Sequence, residues 1–263
     1  MHRFYVPPND WNSGAPTLNS AEAHHARNVL RMQPGDKAVL FDGRGREMTA
    51  QITSLESAQV QLRKLHEAET PPLRCHITLA QAIPKGKNMD LIVQKAVEIG
   101  AAEIAPLISE RTIVDLDPKE AARKQAKWQQ VAIEAAKQCG QNWLPEVHVP
   151  RKLRDFFPHF PVQAGVSHGE AKARPTLPPL QLIGSLQSDA AHLKQILAEY
   201  SSEHQGRPAN VLIVIGPEGD FTPAELSLAR SHGCRPITLG PIILRVETAA
   251  IYCLSVLSYE LLA

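Results

Sequence analysis

The sequence predicts an α/β protein, a parallel sheet with crossover helices preceded by a small, mostly β unit. Three observations carry that expectation. From residue 74 onward, short apolar runs alternate with helical stretches of about ten residues or more, the pattern of parallel strands joined by helices. Before residue 72 the chain instead alternates with period two around a hairpin signal. Finally, "VLIVIGPEGDFTPAE" (211–225) and "PITLGPIIL" (236–244) are apolar strands that each stop abruptly at Gly-Pro. The chain has 263 residues, 43% of them hydrophobic, enough for one large or two smaller domains with ordinary cores.

The elements follow in order. "LNSAEAHHARNVLRMQPGD" reads as one helix, with Asn19 and Glu22 spaced for a capping box and Pro34-Gly35 as its stop. "DKAVLFDGRGREMTAQITSL" is a hairpin turning at Asp42-Gly43-Arg44-Gly45, and "AQVQLRKL" is a further strand. "EAETPP" (67–72) is a charged, proline-containing joint, which divides the chain into domains 1–72 and 73–263. Beyond it come the strand "HITLAQAI", the amphipathic helix "NMDLIVQKAVEIG" stopped at Gly100, the strand "EIAPLI", and the long helix "PKEAARKQAKWQQVAIEAAKQCG". Residues 156–179 break the rhythm and read as irregular surface structure. The strand "LQLIGSL", the helix "SDAAHLKQILAEY", the strand "NVLIVIG", the helix "TPAELSLARSHG", the strand "PITLG" and a last helix from about Glu247 complete the chain.

Several chemistries are poorly supported. No G-x-G-x-x-G or G-x-x-x-x-G-K-[ST] occurs, so dinucleotide and P-loop sites lack their motifs. Cys75, Cys139, Cys234 and Cys253 form no C-x-x-C pair, and His24-His25 are adjacent while the other histidines are dispersed; no metal is expected. The first ten residues lack a signal-peptide pattern, and no run of about 18 apolar residues predicts a membrane span. A cytoplasmic protein with reduced thiols is the expectation. A net charge of +1 leaves nucleic-acid binding to local charge distribution.

In an open α/β sheet, ligands sit beyond the carboxyl ends of strands, where Gly216 and Gly240 fall. Glycine admits close backbone approach, and proline stiffens the turn and removes an amide. Thr222, Pro223 and Glu225 have the residue types of an N-cap, first helical position and capping box. The two turns, on strands expected to be neighbours, suit a small ligand such as a nucleoside held largely by backbone; an ordinary strand–turn–helix connection is the alternative.

"VIGPEGDFTPAE" followed by "LGPIILRVETAA" closely resembles the paired C-terminal signatures of the SPOUT methyltransferases of the RsmE type. "HHARNVLRMQPGD", "LFDGRG", "KGKNMDLIVQKAVEIG", "ISERTIV" and "AIEAAKQCG" extend the resemblance through most of the chain. It implies a PUA-like, RNA-binding β-barrel domain followed by an α/β domain with a deep C-terminal trefoil knot. It also implies S-adenosyl-L-methionine as cofactor, methylation of uridine N3 in small-subunit (16S) ribosomal RNA, and that RNA or the assembled 30S subunit as partner. Carried over, Ile215, Gly216, Pro217, Glu218, Gly219, Leu239, Gly240, Ile243, Leu244 and Thr248 bind the cofactor.

Arg245 and Glu247 are the catalytic candidates, since negative charge develops on the uracil oxygens as the N3 proton leaves. The alternative is a structural ion pair that fixes the knot. Lys95, Glu98, Arg111, Glu134 and Gln138 match family positions near the uridine, although Lys95 with Glu98 also fits a solvated helix face. Arg3, His25, Arg27, Arg31, Lys37, Arg44 and Arg46 form a basic group suited to phosphates, which Lys85 and Lys87 extend. "TAAIYCLSVLSYELL" is apolar almost all round, which fits burial either in the monomer or in a homodimer through the C-terminal domain, the arrangement the resemblance implies. Asp220, Ile242 and Gln141 depart from the family pattern, which more often has glycine, arginine and arginine there. A different RNA such as transfer RNA, or a non-catalytic ribosome-assembly role, are the competing readings.

Overall fold

The computed structural model describes residues 1–56, 59–112, 116–159 and 177–262. The chain divides into two compact units: Met1–Pro72 with Ile133–Leu144, and Leu73–Ala132 with Pro145–Ala263.

In the first unit, strands β1 (His2–Tyr5), β2 (Thr17–Asn19), β3 (Lys37–Phe41), β4 (Arg46–Leu55) and β5 (Gln59–Glu69) form one half-barrel sheet in the order β1-β3-β4-β5-β2. β3, β4 and β5 are antiparallel neighbours, as the hairpin signal predicts, whereas β1 joins β3 in parallel. Two register shifts along β4 and β5, at Thr49/Ala50 and Ile52/Ser54, mark bulges of the kind that bend a strand. Phe4, Leu18, Leu40, Met48, Ile52, Val60 and Leu62 fill the core beneath.

The expected single helix is shorter and differently capped. It comprises α1 (Ser20–His24) and a π-helical turn over His25–Val29, and the chain then turns at Arg31 with φ +53°. Asn19 makes no side-chain cap bond, its Oδ1 accepting from Gln59 Nε2 at 3.3 Å, and the Glu22 carboxylate accepts instead from the Tyr5 amide and Lys137.

In the second unit, β6 (His76–Ala82), β7 (Glu103–Ile108), β8 (Glu146–Val147), β10 (Leu180–Gly184), β11 (Ala191–His192), β12 (Asn210–Ile215) and β13 (Arg235–Thr238) run in the order β11-β13-β10-β12-β6-β7-β8. β9 (Arg151–Lys152) also pairs with β7. Every pairing is parallel. All six residues of β12 are buried, as a central strand covered on both faces requires.

The helices are α2 (Asn88–Ile99), α3 (Pro118–Cys139), α4 (Leu153–His159), α5 (Leu193–His204), α6 (Pro223–Ser231) and α7 (Val246–Leu261). The last residues of α3, from Ile133, count with the first unit. The stretch expected to be irregular from residue 156 begins inside α4, where Phe156 and Phe157 are buried against Phe221, Leu226 and the sheet. Its apolar contacts override Pro158; residues 160–176 lie outside the described residues. No described helix is long and apolar enough to cross a membrane.

Candidate active site

Because β10, β12 and β13 are parallel, their carboxyl ends lie along one edge of the sheet. The two Gly-Pro strands are not neighbours: β10 runs between them, pairing with β12 on one side and β13 on the other. Gly184, the last residue of β10, stands opposite Ile237, and its missing side chain leaves Ile215 packed alongside. The Ser185 amide donates to the Ile237 carbonyl at 2.9 Å, while Leu186 projects 62% exposed. A third loop therefore joins the two expected ones. Its signal, a strand ending in Gly184-Ser185, was present in "LQLIGSL" but lacked the proline that marked the other two.

The first turn is built around Phe221, which is 2% exposed. A Cβ at Gly216 would lie 3.3 Å from Phe221 Cδ2 and Cε2, so any side chain there would crowd the ring. Ile215 and Pro217 are buried, while Glu218 and Gly219 are exposed. The Asp220 amide closes the turn onto the Pro217 carbonyl at 3.0 Å. Asp220 takes φ +62°, a conformation in which glycine is usual and aspartate is tolerated through local hydrogen bonding. Its Oδ1 accepts from the Phe221 amide at 2.8 Å, so the side chain folds back into the turn. Beyond it Thr222 and Glu225 form the expected capping box, with Pro223 opening α6.

Gly240 has the opposite rationale. No atom lies within 4 Å of its would-be Cβ, but its φ is +119°, which side chains rarely adopt. Thr238 Oγ1 bonds both the amide and the carbonyl of Gly240, holding the turn open. Leu239 and Leu244 are half-buried, and Ile242 and Ile243 are 74% and 76% exposed. Among the described residues, nothing accepts from the amides of Ile242, Ile243 and Leu244. Open backbone donors beside aliphatic side chains, with two glycines allowing close approach, fit an adenosine-bearing ligand such as S-adenosylmethionine.

Arg245 occupies the N-cap of α7 without a side-chain cap bond and is exposed. It makes no ion pair with Glu247 or any other described residue, so the structural ion-pair alternative does not hold here. Glu247 instead accepts from Asn88 Nδ2 at 3.2 Å, and Thr248 is exposed in the same first turn. Neighbouring loops brace the first turn. The Lys85 amide donates to Glu218 Oε1 at 2.8 Å, leaving the Lys85 and Lys87 side chains exposed. Arg111 Nη1 donates to the Gly219 carbonyl. Lys95 pairs with Glu98 at 2.7 Å on α2, as a helix-face ion pair. Cys75, Cys234 and Cys253 are buried, and burial pushes each thiol up to about 12, which disfavours a thiolate nucleophile.

The basic group of the first unit splits in two. Arg27, Arg31, Lys37 and Arg44 are exposed. Arg3 is committed to Glu47 at 2.7 Å and to Asn142, with its guanidinium 5.0 Å from the Phe41 ring. Arg46 pairs with the buried Asp42 at 2.7 Å and lies over Trp11. His25 is half-buried, its ring edge-on to Phe4. Gln138 is exposed near the end of α3, Glu134 pairs with Lys137 at 3.2 Å, and Gln141 accepts from the Trp143 amide.

Comparison with known proteins places these features in a family. A family model described as an RNA methyltransferase domain matches residues 71–258, and one described as an RNA methyltransferase PUA domain matches residues 18–65. A Synechocystis ribosomal RNA small subunit methyltransferase E is 33% identical over 94% of this chain and 74% of its own. A putative methyltransferase from Legionella pneumophila, solved with bound SAM, is 34% identical with a TM-score of 0.82, covering 99% of this chain and 98% of its own. The ribosomal RNA small subunit methyltransferase E from Neisseria gonorrhoeae, bound to S-adenosyl methionine, is 33% identical with a TM-score of 0.82 and the same coverage.

Proposed function

Because the chain belongs to the RNA methyltransferase family that contains the ribosomal RNA small subunit methyltransferases E, we propose that it methylates small-subunit ribosomal RNA, with S-adenosyl-L-methionine as cofactor and uridine N3 as acceptor. The observation that carries this is the pair of glycine-dependent turns, one sterically tight at Gly216 and one conformationally unusual at Gly240, at one edge of a parallel sheet. The similar structures from Legionella pneumophila and Neisseria gonorrhoeae were both solved with that cofactor bound.

The bound cofactor supplies a methyl group on a positively charged sulfur. The chain's own contribution is positioning. Ile215 to Gly219, Leu239, Gly240, Ile243, Leu244 and Thr248 cradle the cofactor, and the exposed aliphatic side chains of the second turn exclude water from it. Arg245, exposed and free of an ion pair, stabilises the negative charge on the uracil oxygens as the N3 proton leaves. Glu247, oriented through Asn88, takes part in managing that proton. Arg27, Arg31 and Arg44, with His25 and Lys85, hold RNA phosphates; Arg3 and Arg46 support that surface from within their ion pairs, while Arg111 and Gln138 complete the RNA-contact set. On this reading residues 1–72 are the PUA-like RNA-binding domain and 73–263 the catalytic domain, knotted near its C-terminus.

The exposed stripe of α7, with Thr248, Tyr252, Ser255 and Tyr259 opposite its buried Ala250, Cys253, Leu254 and Leu257, supports a homodimer through the C-terminal domain. The protein works in the cytoplasm, on free ribosomal RNA or the assembled small subunit. The test is transfer of a labelled methyl group to purified small subunits, free ribosomal RNA and transfer RNA in parallel. Labelling of ribosomal RNA is expected. Labelling of transfer RNA alone would move the substrate, and cofactor binding without any transfer would favour an assembly factor.

A further inference from the structure

We infer that Glu225 is a positioning residue whose buried carboxylate locks the Gly216–Gly219 turn against Arg111. The inference rests on the reading of that turn as cofactor-binding. Glu225 lies in the first turn of α6 and is 6% exposed. Its Oε2 accepts from the Thr222 amide at 2.9 Å, the bond a capping box requires. Its Oε1 does something a cap has no need of: it accepts from the Glu110 amide at 2.9 Å, across 115 residues, in the loop after β7.

The next residue in that loop is Arg111, whose guanidinium donates to the Gly219 carbonyl. Arg111 Cδ also stands 3.3 Å from where a Gly219 Cβ would be, so the stem packs flat on the turn. The result is a closed circuit. It runs from Glu225 to the Glu110 amide, along the backbone to the Arg111 side chain, across to Gly219, and through Asp220 and Phe221 to Thr222 and back. The carboxylate suits this place because it accepts at both oxygens and sits at the amino end of a helix dipole. A glutamine keeps the size but offers one carbonyl to two amides, so one N–H loses its acceptor and faces an NH2 group. The circuit then opens at a single bond.

The experiment measures S-adenosylmethionine affinity by calorimetry for the parent, Glu225→Gln, Arg111→Ala and the double variant, with thermal unfolding alongside. Each single change is expected to weaken binding on the order of tenfold, the effect of losing one charge-assisted bond. The double variant is expected within about twofold of the weaker single, because both changes open the same circuit. Parent-like affinity for Glu225→Gln, or effects that multiply, would overturn the inference, since a purely structural glutamate predicts independence from Arg111. If Glu225→Gln does not fold, Glu110→Pro removes the amide donor at an exposed position and asks the same question with Glu225 in place. Failure of the parent to bind the cofactor would instead sink the functional reading, and this inference with it.

Discussion

Gly216→Val is the most direct perturbation of the first turn, and its size follows from one contact. A Cβ at Gly216 would stand 3.3 Å from two ring carbons of Phe221 before the two further methyl groups of valine are placed. Phe221 has nowhere to retreat, being 2% exposed and packed in one cluster with Val214, Leu226 and Ala229. Overpacking of such a site costs about 1–3 kcal/mol, and each kcal/mol lowers the melting temperature of a chain this size by about 2–4 °C. The turn, being at the edge of the core, yields before the ring does, and moves toward the space assigned to the cofactor. We therefore expect a melting temperature lower by about 2–12 °C, and cofactor affinity reduced on the order of a hundredfold, as about 2.7 kcal/mol of displaced contacts implies. Scanning calorimetry gives the first number and titration calorimetry, run well below the melting point, the second. A folded variant that binds S-adenosylmethionine like the parent would refute the cradle assignment.

Three further outcomes are expected. Arg245→Ala should abolish methyl transfer while leaving stability within about 0.5 kcal/mol, because the side chain is exposed and makes no described contact; near-parental activity removes Arg245 from the mechanism. Gly240→Ala should lower stability by about 1–2 kcal/mol through backbone strain alone, since φ is +119° and space is open; a stable variant with unchanged affinity would show that the turn relaxes freely. Glu103 is partly buried, which by itself would raise its pKa, but hydrogen bonds from His148 and His76, each at 3.0 Å, bring it down to about 2. A folded-state value below the unfolded one contributes stability that is present above about pH 4.5 and lost as pH falls toward 2, at most about 3 kcal/mol. Urea unfolding between those pH values should show a shallower acid loss for Glu103→Gln than for the parent, and equal slopes would contradict the assignment.

The sheet and its two glycine turns were legible because each signal was local. β12 reads as a strand from six consecutive residues, and the Thr222–Glu225 cap from four. Strand order was not legible, since nothing near Gly216 or Gly240 says that β10 separates their strands. The same blindness to distance explains Glu22, whose carboxylate serves Tyr5 and Lys137 rather than Asn19, and Arg3 and Arg46, whose charges are met by Glu47 and the buried Asp42. A count of basic residues sees charge but not its partners. Short strands such as β9 and β11 carry two residues each, too few for any periodicity. Helix α4 is not legible in the sequence because Pro158 is a local veto, while the burial of Phe156 and Phe157 that overrides it is a tertiary fact.

Methylation of uridine N3 is tested by digesting labelled ribosomal RNA to nucleosides after reaction with the parent protein and S-adenosylmethionine, using small subunits from cells lacking their own uridine N3 enzyme. The label is expected to elute as N3-methyluridine, with none from Arg245→Ala. Label in any other nucleoside, or none at all from a protein that binds the cofactor, would contradict it.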